Sequence, residues 1–133
     1  MCGIAGAISF KEDMREDMKI YENMQHALLR RGPDQRGIVL TKESALIHTR
    51  LAVIDVPNGR QPMTFGDFTI VYNGELYNTE EIRRELKEDF EFETHSDTEV
   101  VLKSYIKWGE KCLDKFNGIF AFAIYNQKQK RLF

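Results

Sequence analysis

Met1-Cys2-Gly3-Ile4-Ala5-Gly6 places a cysteine directly behind the initiator methionine, at the head of a small, apolar run. The small side chain of Cys2 is the kind that permits removal of Met1. A chain beginning at Cys2 carries a thiol and a free α-amine on one residue. The amine's pKa, about 7.7–8.0 against about 10.4 for lysine, leaves roughly a third of it neutral at pH 7.5. Such a residue is nucleophile and proton acceptor at once, without a histidine. The ordinary alternative is an inert thiol near a terminus. Gly3–Phe10 reads as a buried strand whose glycines permit close backbone approach.

Working outward, Met18–Arg30 carries Ile20, Met24, Ala27 and Leu28 at helical spacing and is stopped by Gly32-Pro33. Ile38–Leu40, Leu46–Arg50 and Leu51–Ile54 read as short strands, the last two open to being one, before Pro57-Asn58-Gly59 breaks the chain. Phe68–Tyr72 is a strand. Asn78, with Glu81 three residues on, starts a helix whose Ile82 and Leu86 face inward. Ser96-Asp97-Thr98-Glu99 is a second capping box, opening a helix through Val101, Leu102, Tyr105, Ile106 and Trp108 to Gly109. Ile119–Tyr125 is apolar on both faces and predicts a central, doubly covered strand. Gln127–Lys130 is a turn. Arg131-Leu132-Phe133 begins a strand shorter than the usual 5–6 residues, so the chain reads as part of something longer.

The 133 residues suit one domain, 42% hydrophobic and 30% charged, with a net charge of −2. Nothing in that balance forms a basic footprint for nucleic acid. No run has the length of a membrane span, and Ile4–Phe10 lacks the basic lead of a secretory signal. Cys2 and Cys112 do not make a disulfide framework and point to the reducing cytoplasm. His26, His48, His95 and the two cysteines lack zinc-ligand spacing, so no metal is expected. Cys112 reads as a small core residue.

Four further stretches could carry chemistry. Arg31-Gly32-Pro33-Asp34 is a helix stop or something more. Arg50 is a solvated surface residue or a planar fork for a carboxylate. Asn73-Gly74 is a hairpin turn or a pair of oxyanion donors, an Asn side chain and a glycine N–H. Asp97 is a favourable charge at a helix start or an anion for a substrate ammonium.

Taken in order, Met-Cys-Gly-Ile-Ala-Gly, Arg-Gly-Pro-Asp, His-Thr-Arg-Leu-Ala-Val-Ile-Asp, Gln61-Pro62, Tyr-Asn-Gly-Glu-Leu-Tyr-Asn and Ser-Asp-Thr-Glu-Val resemble the amino-terminal glutaminase domain of glutamine-dependent asparagine synthetases. That family is a class II glutamine amidotransferase with the N-terminal-nucleophile hydrolase fold. The resemblance covers residues 1–133 and implies an α+β, four-layered αββα sandwich of two antiparallel sheets, incomplete at its C-terminal end. It implies Cys2 as nucleophile with its α-amine as base, and Asn73 with the Gly74 N–H as oxyanion hole. Arg50 would hold the glutamine α-carboxylate, Asp97 and Glu75 its α-ammonium, and Arg31 and Gly32 would form a supporting loop.

The activity so implied is hydrolysis of glutamine to glutamate and ammonia through a glutamyl thioester. The ammonia would serve a synthetase domain absent from these residues, and ATP and magnesium would belong there, leaving this domain without a cofactor. Another class II amidotransferase with a different ammonia acceptor, or a non-catalytic glutamine-binding fragment, stays open, as does a homodimer.

Overall fold

Ser44–Arg50 is buried along its whole length and forms the middle of the first sheet. In the computed structural model, which describes Met1–Phe133, it is the third strand, β3, and pairs antiparallel with β1 (Gly3–Ile8) and β2 (Gln35–Leu40). Strand side chains alternate between faces. On one face Ala45 and Ile47 pack with Met14 and with Tyr21 of α1 (Met18–Ala27). On the other, Leu46 meets Val71 and Tyr125 of the second sheet.

That second sheet runs in the order β4 (Met63–Phe65), β5 (Phe68–Leu76), β6 (Gly118–Asn126), β7 (Arg131–Leu132), with every pair antiparallel. Its outer face is covered by α2 (Thr79–Leu86) and α3 (Asp97–Trp108), and the largest core lies there, with Ile70, Ile82, Leu86, Val100, Leu102 and Ile124 all buried. Burying each such side chain contributes about 1.5–3 kcal/mol. The layers are therefore helix, sheet, sheet, helices: the αββα sandwich.

Several local expectations are corrected. The first strand stops at Ile8 and is a half-buried edge strand, because β3 takes the centre. Its glycines do allow close approach: a Cβ on Gly6 would lie 2.7 Å from the Ala45 carbonyl oxygen. Helix α1 ends at Ala27 and turns Tyr21 and Met24 inward, leaving Ile20 exposed. Residues 51–54 are loop, β4 was not foreseen, and β2 starts three residues earlier than its apolar pattern shows. Strand β6 is central, but Ile119 near its start is 70% exposed, so only its later half is covered on both faces.

Ser96 caps α3, accepting from the Thr98 N–H at 3.0 Å, but Glu99 turns to Glu93 and Thr94 instead of closing the box. Asn78 makes no helix cap; its side chain bridges Lys115 O and the Asn117 N–H. The most consequential correction concerns Asn73-Gly74. It is not a turn: both residues lie inside β5, opposite Ala121 and Phe120. Glycine is required at 74 because a Cβ would sit 2.5 Å from the Ile119 carbonyl oxygen.

Candidate active site

A cavity of about 320 Å³ opens at the end of the sandwich where β1 begins and the second half of β5 runs past Met63, the first residue of β4. Its lining includes Cys2, Arg50, Asn73, Gly74, Glu75 and Asp97, residues far apart in the chain that the fold brings together. Arg31 and Gly32 stand just behind this wall. The Arg31 Nε–H donates to the Cys2 carbonyl oxygen at 3.0 Å. A Cβ on Gly32 would lie 2.3 Å from the Thr49 carbonyl oxygen and 2.5 Å from the Arg50 nitrogen, so only glycine lets that loop press on the end of β3.

Cys2 precedes β1 directly, and the pairing of Gly3 with Thr49 sets it beside Arg50. Its Sγ is partly exposed, with the Leu51 carbonyl oxygen 3.7 Å away as its hydrogen-bond acceptor. Met1 is 70% exposed at the cavity wall, and while it remains the Cys2 nitrogen is a peptide amide and no base.

The alternation of β5 divides its groups between two directions. Val71 packs between the sheets, so Asn73 and Glu75 project from that same face, toward the layer that carries Cys2. Backbone groups alternate within the sheet plane. Tyr77 N–H bonds Asn117 O on the β6 side, so the even-numbered residues turn to the opposite edge. On that edge the Leu76 N–H donates to Asp97 Oδ2 at 3.2 Å. Gly74, two residues earlier, points its N–H the same way, into the cavity, and β4 does not extend to it.

Asp97, 7% exposed, is the first residue of α3. Its Oδ2 also accepts from the Tyr72 hydroxyl at 3.0 Å. Burial foremost, then the charge of Asp97 and the bond to it, holds the Tyr72 phenol protonated far above its ordinary range. Tyr72 therefore stays a donor and keeps the carboxylate oriented. Sequence reasoning missed it, because a tyrosine in an apolar strand signals packing alone.

Arg50 is 4% exposed, which removes the surface reading, but its fork is not empty. Its two terminal nitrogens donate to Gln35 Oε1 (2.7 Å) and the carbonyls of Val56 (2.8 Å), Ile54 (2.7 Å) and Asp55 (2.9 Å). Nε is the guanidinium nitrogen left without a partner. The expected bidentate grip on a ligand is thus spent on residues 54–56, and Arg50 shapes the loop that walls the cavity.

That loop is pinned at its far side too. Asp55 adopts φ 46°, a left-handed conformation that Asp tolerates, and its Oδ2 accepts the His95 N–H at 2.8 Å. That bond foremost holds the Asp55 carboxyl below its usual range.

Beneath the site, His48 is fully buried, with Nε2 bonded to the Tyr72 carbonyl oxygen at 3.1 Å and Nδ1 unpartnered. Burial pulls its pKa down to about 4, helped by the Arg50 charge and opposed by the carbonyl bond. Cys112 is buried in the main core, where loss of water raises its thiol to about 11. No group of three or more His, Cys, Asp or Glu side chains converges for a metal ion.

Comparison with known proteins gives the family of the chain and the likeness of its fold. A family described as glutamine amidotransferase domain matches residues 1–133. Asparagine synthetase [glutamine-hydrolyzing] 3 of Bacillus subtilis is 47% identical over 138 residues, covering 100% of this chain and 22% of that protein. Asparagine synthetase B [glutamine-hydrolyzing] of Escherichia coli is 37% identical, covering 97% and 24%. The chain thus spans about a quarter or less of the length of these two relatives. Among solved structures, the glutamine phosphoribosylpyrophosphate amidotransferase of B. subtilis superposes with a TM-score of 0.72 at 20% identity, over 94% of this chain and 35% of that one. That likeness concerns the fold, and the fold is the N-terminal-nucleophile hydrolase sandwich. By the match along its whole length, the chain belongs to the glutamine amidotransferase domain family.

Proposed function

We propose that this domain hydrolyses the side-chain amide of glutamine to glutamate and ammonia, and that the ammonia serves ATP-dependent synthesis of asparagine in a synthetase domain of the full-length protein. The observation that supports this best is the meeting of Cys2 with an inward-pointing Gly74 N–H and the Asn73 amide in one cavity, opposite the buried Asp97 carboxylate.

After removal of Met1, the α-amine of Cys2 takes the thiol proton as sulfur attacks the amide carbon. The carbonyl π electrons move to oxygen, and the Gly74 N–H and the Asn73 side-chain amide stabilise that charge. As the tetrahedral adduct collapses, the C–N bond breaks and the protonated amine returns its proton to the leaving nitrogen, releasing ammonia. Water then attacks the thioester, the amine accepts its proton, and sulfur leaves to be reprotonated.

Asp97, held by Tyr72 and Leu76, receives the substrate ammonium together with Glu75. The α-carboxylate is met by Arg50 Nε beside the loop that Arg50 holds. Every step uses groups of this chain, so the domain needs no cofactor of its own, and its free thiols suit the cytoplasm.

Ammonia release from glutamine by the full-length protein, with its N-terminus verified by mass spectrometry, tests the reading. Cys2→Ala and a Met1-retaining sample should both be folded and inactive. Turnover by either would assign the nucleophile or the base to another group.

A further inference from the structure

We infer that Gln61 is a positioning residue: its side chain replaces a backbone residue at the edge of β5 and so leaves the Gly74 N–H free for the reacting oxygen. This rests on the oxyanion reading of Gly74 given above. The register of β4 on β5 pairs Met63 with Ile70 and Phe65 with Phe68. Continued outward, the same register sets residue 61 opposite Tyr72 and residue 59 opposite Gly74. The main chain does not continue. Gly59 is turned away, its N–H bonded to Asp55 O at 2.9 Å, and a Cβ on it would lie 2.5 Å from Arg50 Nη2.

The ladder is instead carried on by one side chain. The Tyr72 N–H donates to Gln61 Oε1 at 2.6 Å, and Gln61 Nε2 donates back to the Tyr72 carbonyl oxygen at 3.1 Å. A primary amide offers the donor and acceptor of a peptide group, so Tyr72 is satisfied as though a strand lay beside it. The same Nε2 lies 3.2 Å from Thr98 Oγ1, tying this edge to the first turn of α3 next to Asp97.

Gln61 is nine-tenths buried, and its own backbone is wedged against β2, where a Cβ on Gly37 would lie 2.1 Å from the Gln61 carbonyl oxygen. A side chain ends where a strand would go on, and the next N–H along the edge, that of Gly74, faces the cavity.

The test uses the full-length enzyme, with active sites titrated by a diazoketone analogue of glutamine so that rates are counted per competent site. Gln61→Met keeps the length and removes both bonds to Tyr72. It should lower kcat about a hundred-fold, the scale of a misplaced catalytic contact, while KM for glutamine and the affinity for glutamate change by only about two- to three-fold. Gln61→Glu supplies an independent readout. Its protonated carboxyl restores donor and acceptor together, whereas the carboxylate cannot donate to Tyr72 O. Its kcat deficit should therefore widen as pH rises, while that of Gln61→Met keeps a constant ratio to the parent.

A normal kcat per titrated site in Gln61→Met, equal losses in kcat and glutamate affinity, or a pH-independent deficit in Gln61→Glu would overturn the inference. If Gln61→Met does not fold, the pH profile of Gln61→Glu decides alone. Asn73→Ala, run in parallel, should lose about 10²–10³-fold in kcat. If it does and Gln61→Met does not, only the role of Gln61 falls; if neither does, the oxyanion reading falls and takes this inference with it.

Discussion

Cys2 and Cys112 show how one residue type takes two fates by position. Cys2 stands ahead of a strand with its sulfur reachable from the cavity, while Cys112 is fully buried and its thiol is raised to about 11. At pH 8 such a thiol is roughly 0.1% thiolate and is walled from solvent, so it is doubly unreactive. A glutamine-like electrophile should label Cys2 stoichiometrically and leave Cys112 unmodified in the native protein, as read by peptide mass spectrometry. Equal labelling would mean that neither burial nor thiolate fraction governs reactivity here.

Between elements, the site depends on the loop after β3 more than on any single contact. Arg50 binds it from the first sheet and Asp55 fixes it to the backbone ahead of α3. Arg50→Lys keeps the charge but places three donors on one tetrahedral nitrogen, which cannot span four acceptors spread over Gln35 and residues 54–56. Losing one such charge-assisted bond costs about 1.5–3 kcal/mol, on the order of ten- to a hundred-fold in kcat/KM. The loop should also become a site of limited proteolysis. Wild-type kcat/KM in this variant would separate the loop from the chemistry.

None of this pinning was legible in the sequence, since all but the Gln35 bond uses a main-chain carbonyl or N–H that every such residue possesses. At Asn73-Gly74 the sequence left a turn and a pair of oxyanion donors both open, and the strand was read only to Tyr72. The dipeptide favours a tight turn locally, but pairing with β6 keeps it extended through Leu76, and only a glycine fits against Phe120 at position 74. By contrast α3 was read to within one residue of its start, because Ser96 and the apolar stripe behind it act locally. The six residues around the cavity came from ordered motif resemblance; the bonds that Tyr72 makes with Gln61, His48 and Asp97 needed coordinates, because they join residues 11 to 25 positions apart.

On the scale of the whole molecule, His48 joins the two sheets, bonding from β3 to the β5 backbone at Tyr72 with its other nitrogen unpartnered. Its folded pKa of about 4 lies below the 6.5 of a free imidazole, so the unfolded chain binds the proton more readily. The neutral contact stabilises fully above pH 6.5 and is lost as pH falls toward 4, a swing of up to about 3 kcal/mol. Urea unfolding between these limits should show that loss, and His48→Gln, which keeps a donor without a titration, should flatten it. An unchanged pH slope in the variant would place the acid sensitivity elsewhere.

The chain start carries a consequence of another kind. A matured Cys2 is a 1,2-aminothiol, which condenses with a 2-cyanobenzothiazole into a stable five-membered ring, whereas a thiol behind Met1 cannot close that ring. A fluorescent nitrile of this type would therefore count matured molecules one by one, without any substrate, and each count would extinguish the molecule it scores.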